Sequence, residues 1–178
     1  MSARVLGIDP SLTCTGLAGH GWTDTIKPGD RRGADRLVWI RDTLTDRWLA
    51  GVDLVAMEGP AYSRQGQAGH HEGAGLWWLI RIALASKGVP VAVVTPGSLK
   101  LYATGKGGAG KDVVMREVAR RFPWFEGGED EADAVVLAAM AADHLGEPMV
   151  AMPATHRAAL AKVEWPELVA PVLVGSTR

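Results

Sequence analysis

The chain has 178 residues, 47% hydrophobic and 22% charged, with a formal net charge of −1. That length suits one domain with a sizeable core, and the composition excludes disordered, fibrous and membrane-embedded classes. The single Cys14 permits no intrachain disulfide and favours a reducing, cytoplasmic setting, and the strand-like opening MSARVLGID does not read as a signal peptide.

Arg4 to Asp9, RVLGID, is a short apolar run suited to a buried strand, and Thr13 to Gly21 reads as a second strand after a Pro-Ser turn. Gly29 to Gly33 is loop. Leu37, Ile40, Leu44 and Trp48 then recur at helical spacing until Gly51 supplies a stop. VDLVAME, residues 52–58, is the next buried strand, and Gly59-Pro60 turns the chain.

A helix is expected from His71 to Lys87. Its centre, LWWLIRIALA, is apolar almost all round, so more than one side must be covered. The apolar run Leu76–Ala85 contains Arg81 and is too short to cross a bilayer, which takes about 20 residues. VPVAVV, residues 89–94, is a further strand, followed by a Gly-rich loop. A helix over 111–122 carries Val114, Val118 and Phe122 on one face, and a last core helix runs from about Glu129 to Leu145. Alternating strands and helices predict an α/β domain over 1–150 with helices on both faces of the sheet, and 151–178 reads as a short extension.

The loop contains T-G-K-G-G-A-G-K-D, residues 104–112, which is nearly a P-loop. In a P-loop the residue after the lysine is Ser or Thr, whose hydroxyl holds Mg²⁺. Here it is Asp112, an acid that repels phosphates, and only 67 residues follow Lys111. No nucleotide cofactor is expected. A cationic glycine loop with exposed backbone instead suits the phosphates of a nucleic acid. Charge is distributed accordingly. Six basic residues lie between Gly97 and Arg121, and seven carboxylates with no Lys or Arg between Phe122 and Met149.

Asp9 and Glu58 each end an apolar strand, where ligands of open α/β sheets bind. Asp130 and Asp133, three apart, project from one face near a helix start. Singly, each has an ordinary reading as a loop acid or a helix-dipole partner. Together, four carboxylates brought to one spot require a cation, and Mg²⁺ takes carboxylates with waters and substrate phosphate.

GIDPSLTCTG, VAMEGPAY, the lysine-bearing loop and DEADA, in that order, resemble RuvC-type Holliday-junction resolvases, above all the versions carried by bacteriophages. The resemblance spans about residues 4–145. It implies an RNase H-like mixed sheet flanked by helices and a homodimer that cuts branched DNA, including Holliday junctions, by paired nicks. It further implies two Mg²⁺ ions per site, with Mn²⁺ able to substitute, held by Asp9, Glu58, Asp130 and Asp133. Lys100 and Lys111 match the family's functional lysines, Lys111 beside the chemistry and both, with Lys106, on DNA phosphates. The family carries an aromatic residue shortly after the strand-end Glu. Here Gly-Pro-Ala intervenes before Tyr62, which with Arg64 is the candidate for contact with DNA. The competing function is a branched-DNA-binding protein of the same fold that does not cut. No membrane partner is expected.

Overall fold

A computed structural model describes residues 2–60 and 69–168. Five strands form one mixed sheet: β1 (Val5–Asp9), β2 (Thr15–Gly19), β3 (Trp22–Ile26), β4 (Leu54–Glu58) and β5 (Val91–Val94). Their order is β3-β2-β1-β4-β5. β1–β2 and β2–β3 are antiparallel, whereas β1–β4 and β4–β5 are parallel. The helices are α1 (Gly33–Arg47), α2 (His70–Ser86), α3 (Pro96–Thr104), α4 (Lys111–Arg121), α5 (Glu129–His144) and the short α6 (Ala154–Arg157).

Strand alternation divides the core in two. Leu6, Ile8, Leu17, Val55 and Met57 face α1 and α2, packing with Ile40, Leu44, Leu76, Ile80 and Leu84. Val5, Ala18, Leu54, Ala56, Ala92 and Val94 face the opposite side, where α5 lies across the sheet with α3 and α4 outside it. Alanines and glycines are interspersed on this second face, and α5, rich in alanine, packs close against it.

Two elements differ from the sequence expectation. Residues 22–26 form an edge strand, paired from Gly19–Trp22 to Thr15–Ile26 across a turn at Gly21, φ 75°. Its WTDTI pattern has little apolar alternation because only Ile26 is buried. Residues 96–104, expected within the loop region, are helical. The Thr95 side chain caps the Ser98 N–H at 3.1 Å, Pro96 opens the first turn, and Gly105 at φ 78° closes the last. The P-loop-like stretch therefore joins two helices, not a strand to a helix, and its first glycine is a helix cap.

Residues between 152 and 165 pack on the same core. Ala159, Val163 and Trp165 join the α3–α5 cluster, and Trp165 stacks on His144 with ring centroids 4.1 Å apart. Buried Asp143 of α5 accepts from the Tyr102 hydroxyl at 3.0 Å and pairs with Arg157 at 2.8 Å. The His156 ring bonds the Tyr102 carbonyl at 2.8 Å. These contacts tie α3, which carries Lys100, to α5 and α6. Among the described residues no helix is long and apolar enough to cross a membrane.

Candidate active site

Period-2 alternation places Asp9 on the face of β1 that Val5 and Gly7 occupy, and Glu58 on the face of β4 that Leu54 and Ala56 occupy. Both are therefore on the α5 side of the sheet. β1 and β4 are parallel neighbours, with Ile8 opposite Met57, so their last residues end side by side. The Asp9 and Glu58 carboxyl groups stand within hydrogen-bonding reach of one another.

The other two acids arrive on α5. Glu129, Asp130 and Glu131 occupy its first turn, where acids complement the helix dipole, and the Glu131 carboxylate accepts from the Gly128 N–H at 2.7 Å. Two strand glycines decide how near this helix comes. A Cβ on Gly16 would lie 2.0 Å from the Asp130 carbonyl oxygen, and one on Gly7 would lie 2.0 Å from the Ala134 carbonyl oxygen. Gly16 pairs directly with Asp9 across β1–β2. The absence of two side chains thus lowers α5 onto the strand that bears Asp9. Neither glycine is a candidate on chemical grounds. Their sequence signal is position, since glycine inside a strand marks the close approach of another backbone.

The electrostatics record the crowding. Asp9 is buried, and its carboxyl is held well above the usual range by desolvation, then by Glu58, Asp133 and Asp130. Asp133 is raised to about 6 by burial and by Glu58 and Asp130, against the lowering influence of Lys111 and Lys100. Asp9 and Asp133 thus each feel the charge of Glu58 and of Asp130. Cys14, just before β2, is pushed up to about 11 by desolvation and by Asp130, so its thiol stays protonated near neutral pH and offers no thiolate nucleophile.

Lys111, first residue of α4, has its ammonium 3.5 Å from Glu129, and Asp133, Glu129 and Asp9 raise its affinity for protons against the lowering effect of desolvation. Lys100, one turn inside α3, acts on Asp133 from the same side. Lys106 is exposed on the loop between α3 and α4, its backbone N–H bonded to the Thr104 hydroxyl at 3.1 Å, and it is not brought against the acids. Tyr62 and Arg64 lie outside the described residues.

The donor set suits a hard divalent cation, because every ligating candidate is a carboxylate oxygen. Burial and then their mutual repulsion raise the proton affinity of Asp9 and Asp133, a cost that a bound cation would offset. As placed, no three His, Cys, Asp or Glu side chains among the described residues close around one point.

No protein-family model matches the chain. Individual proteins do. The crossover junction endodeoxyribonuclease RuvC of Mycobacterium avium is 32% identical over 173 residues, spanning 89% of this chain and 90% of its own. The enzyme of the same name from Hyphomonas neptunium is 35% identical over 165 residues, 80% of this chain and 92% of the relative. The chain belongs to the RuvC family of crossover junction endodeoxyribonucleases. RuvC of Thermus thermophilus superposes with a TM-score of 0.64 at 24% identity, covering 82% of this chain and 98% of that one. The same TM-score holds for its complex with a Holliday junction substrate. The sheet order, the flanking helices and this superposition establish the RNase H-like fold of the family.

Proposed function

We propose that the chain resolves Holliday junctions or related branched DNA in the cytoplasm, as a homodimer making paired nicks, with two Mg²⁺ ions per site. The observation that carries this reading is the mutual electrostatic influence of Asp9, Glu58, Asp130 and Asp133, carried by three separate elements near the end of the sheet, with Lys111 and Lys100 acting on Asp133. The activity of the RuvC relatives and the junction-bound Thermus structure support the substrate class.

When bound, a pair of Mg²⁺ ions would neutralise phosphate charge and supply an activated water. The residues have separate tasks. Asp9 and Glu58 supply the rigid half of the ligand shell, because the sheet fixes their backbones. Asp130 and Asp133 supply the half carried on α5. Lys111 is kept protonated by its acidic neighbours, so it offsets negative charge developing on the phosphate. Lys100 and Lys106 hold the DNA backbone outside the site. Tyr62 and Arg64 are further candidates for contact with DNA in this reading.

Purified protein incubated with a labelled four-way junction and Mg²⁺ or Mn²⁺ tests it. Symmetric paired nicks are expected. Tight binding with no cleavage at any metal concentration would overturn it in favour of a non-cutting branched-DNA binder.

Two further outcomes follow from the same reading. Replacing Lys100, Lys106 and Lys111 together by Gln should weaken junction binding and flatten its salt dependence. The log–log slope should shrink by about 0.9 for each phosphate that is no longer neutralised. An unchanged slope moves the DNA path elsewhere.

The dimer reading rests on α2, whose Trp78 and Ile82 are each 60% exposed and lie one turn apart. Leu76 and Ile80 face the core, so acids there would unfold the protein rather than report on assembly. Trp78→Glu or Ile82→Glu should give folded monomers where light scattering finds wild-type dimers at tens of micromolar. Wild-type monomers at that concentration would refute the interface.

A further inference from the structure

The peptide unit between Glu58 and Gly59 lies at the end of the sheet. Its N–H, on Gly59, donates to the Val94 carbonyl beside β5 at 2.8 Å. Because the unit is trans, the Glu58 carbonyl points the opposite way, toward β1. Continuing the Ile8–Met57 register by one step sets Asp9 beside Glu58, and the next nitrogen along that strand belongs to Pro10. Proline has no N–H to give. The ladder therefore cannot satisfy this carbonyl, and an unsatisfied carbonyl there would leave the strand end free to shift.

Trp77 of α2 fills the gap. Its indole Nε1–H donates to the Glu58 carbonyl at 2.9 Å. The ring is itself held in place. It packs edge-on against Trp78 with centroids 5.1 Å apart, the Arg81 guanidinium lies over it at 5.6 Å, and its apolar edge joins the α1–α2 core. We infer that Trp77 is a positioning residue for Glu58, substituting for the backbone donor that Pro10 lacks and so fixing where the Glu58 carboxylate stands beside Asp9. The hydrogen bond also links the active-site strand to α2, the helix whose neighbouring Trp78 is exposed. Trp77 touches neither substrate nor metal. It acts through the strand end, and this role rests on the metal-site reading of Glu58 given above.

Trp77→Phe keeps the ring and removes the donor. Mn²⁺ binding measured calorimetrically without DNA should weaken about tenfold, the usual cost of losing a group that orients a ligand. Cleavage should fall at limiting Mg²⁺ and recover toward wild type at excess Mg²⁺. Junction affinity in EDTA should be unchanged. Adding Pro10→Ala, which returns a backbone N–H at that step of the ladder, should restore Mn²⁺ affinity to the Trp77→Phe protein. A folded Trp77→Phe protein with wild-type Mn²⁺ affinity overturns the inference, as does a cleavage defect that excess metal leaves in place.

Should Trp77→Phe not fold, indole N–H spectra of the ¹⁵N-labelled wild-type protein decide instead, assigned through the other Trp→Phe variants. The Trp77 resonance must be protected from exchange and must move on addition of Mg²⁺, and an unprotected or unmoved resonance is equally fatal. Wild-type protein that fails to cut junctions would sink the functional reading, whereas the Mn²⁺ titration reads Trp77 independently of cutting.

Discussion

Asp9→Asn and Asp130→Asn should each abolish junction cleavage, by about a thousandfold or more, while junction binding in EDTA persists. The substitution keeps the shape of the side chain and removes the charge that holds a cation, and a metal's electrostatic contribution of several kcal/mol corresponds to that factor at about 1.4 kcal/mol per decade. Binding survives because removing negative charge beside a phosphate path cannot repel DNA. Stability should move the other way from activity. Asp133 binds a proton more tightly in the folded protein, at about 6 against an ordinary 3.8, and Asp9 is raised well above that ordinary value too. The folded state therefore holds protons that the unfolded chain releases, and metal-free stability falls as pH rises from about 4 through 6. Above that window the ionised cluster costs stability.

Asp133→Asn should accordingly raise the thermal midpoint at pH 8 in EDTA by a few degrees, for a gain on the order of 1–3 kcal/mol, and Asp9→Asn should move it in the same direction. Mg²⁺ should raise the wild-type midpoint and leave that of Asp9→Asn nearly still. Cleavage, affinity and midpoint measured side by side check all of this. Full cleavage by either Asp9→Asn or Asp130→Asn removes that residue from the site. A wild-type midpoint that is flat from pH 4 to 8 contradicts the crowding argument.

Gly16→Ala should be nearly as damaging, although it removes no functional group. The new Cβ would sit 2.0 Å from the Asp130 carbonyl oxygen, a full ångström inside any contact that real Cβ atoms make. The obstacle is helix backbone, so relief requires α5 to lift from β2 at the turn that carries Asp130. Overpacking of this kind costs about 1–3 kcal/mol, occasionally more, which for a domain of this size lowers the midpoint by about 2–4 °C per kcal/mol. Activity should suffer more than stability warrants. A shift of about 1 Å in a reacting geometry can cost a hundredfold. The diagnostic result is a folded protein, in the same oligomeric state as wild type, whose cleavage falls at least about a hundredfold. Alanine at Gly21, where nothing lies within 4 Å, serves as the control, since its strain is local to the turn and away from the acids. Wild-type cleavage by Gly16→Ala would mean that α5 can move without disturbing the cluster.

Much of this site is legible from residue order alone. RVLGID and VDLVAME are apolar runs that end in an acid, and a buried parallel strand in an α/β domain presents its last residue at the ligand-binding edge. Asp130 and Asp133 are three apart at the head of an apolar helix, which puts them on one face whatever the helix packs against. The hairpin partner β3 is far less legible, because an edge strand with one solvent side needs little apolar alternation. The helix α3 carries its start and stop signals openly in Thr95, Pro96 and Gly105, yet its nine residues are few enough for the neighbouring glycine run to dominate the reading.

By itself, the amino-acid order determined which carboxylates end strands, which pair rides a helix, and which lysines lie in and beside the glycine-rich loop. Spacing along a chain is a local property, and it transmits face and period within one element. The tertiary structure alone decided distance between elements. It set α5 onto β1 and β2 through the missing side chains of Gly7 and Gly16, turned Leu76 and Ile80 inward and Trp78 and Ile82 outward on an evenly apolar helix, and supplied the Glu58 carbonyl with the indole of a residue 19 positions further along the chain. Each of these depends on which surfaces meet, and apolar burial, being non-directional, specifies that two faces come together without specifying which residues touch.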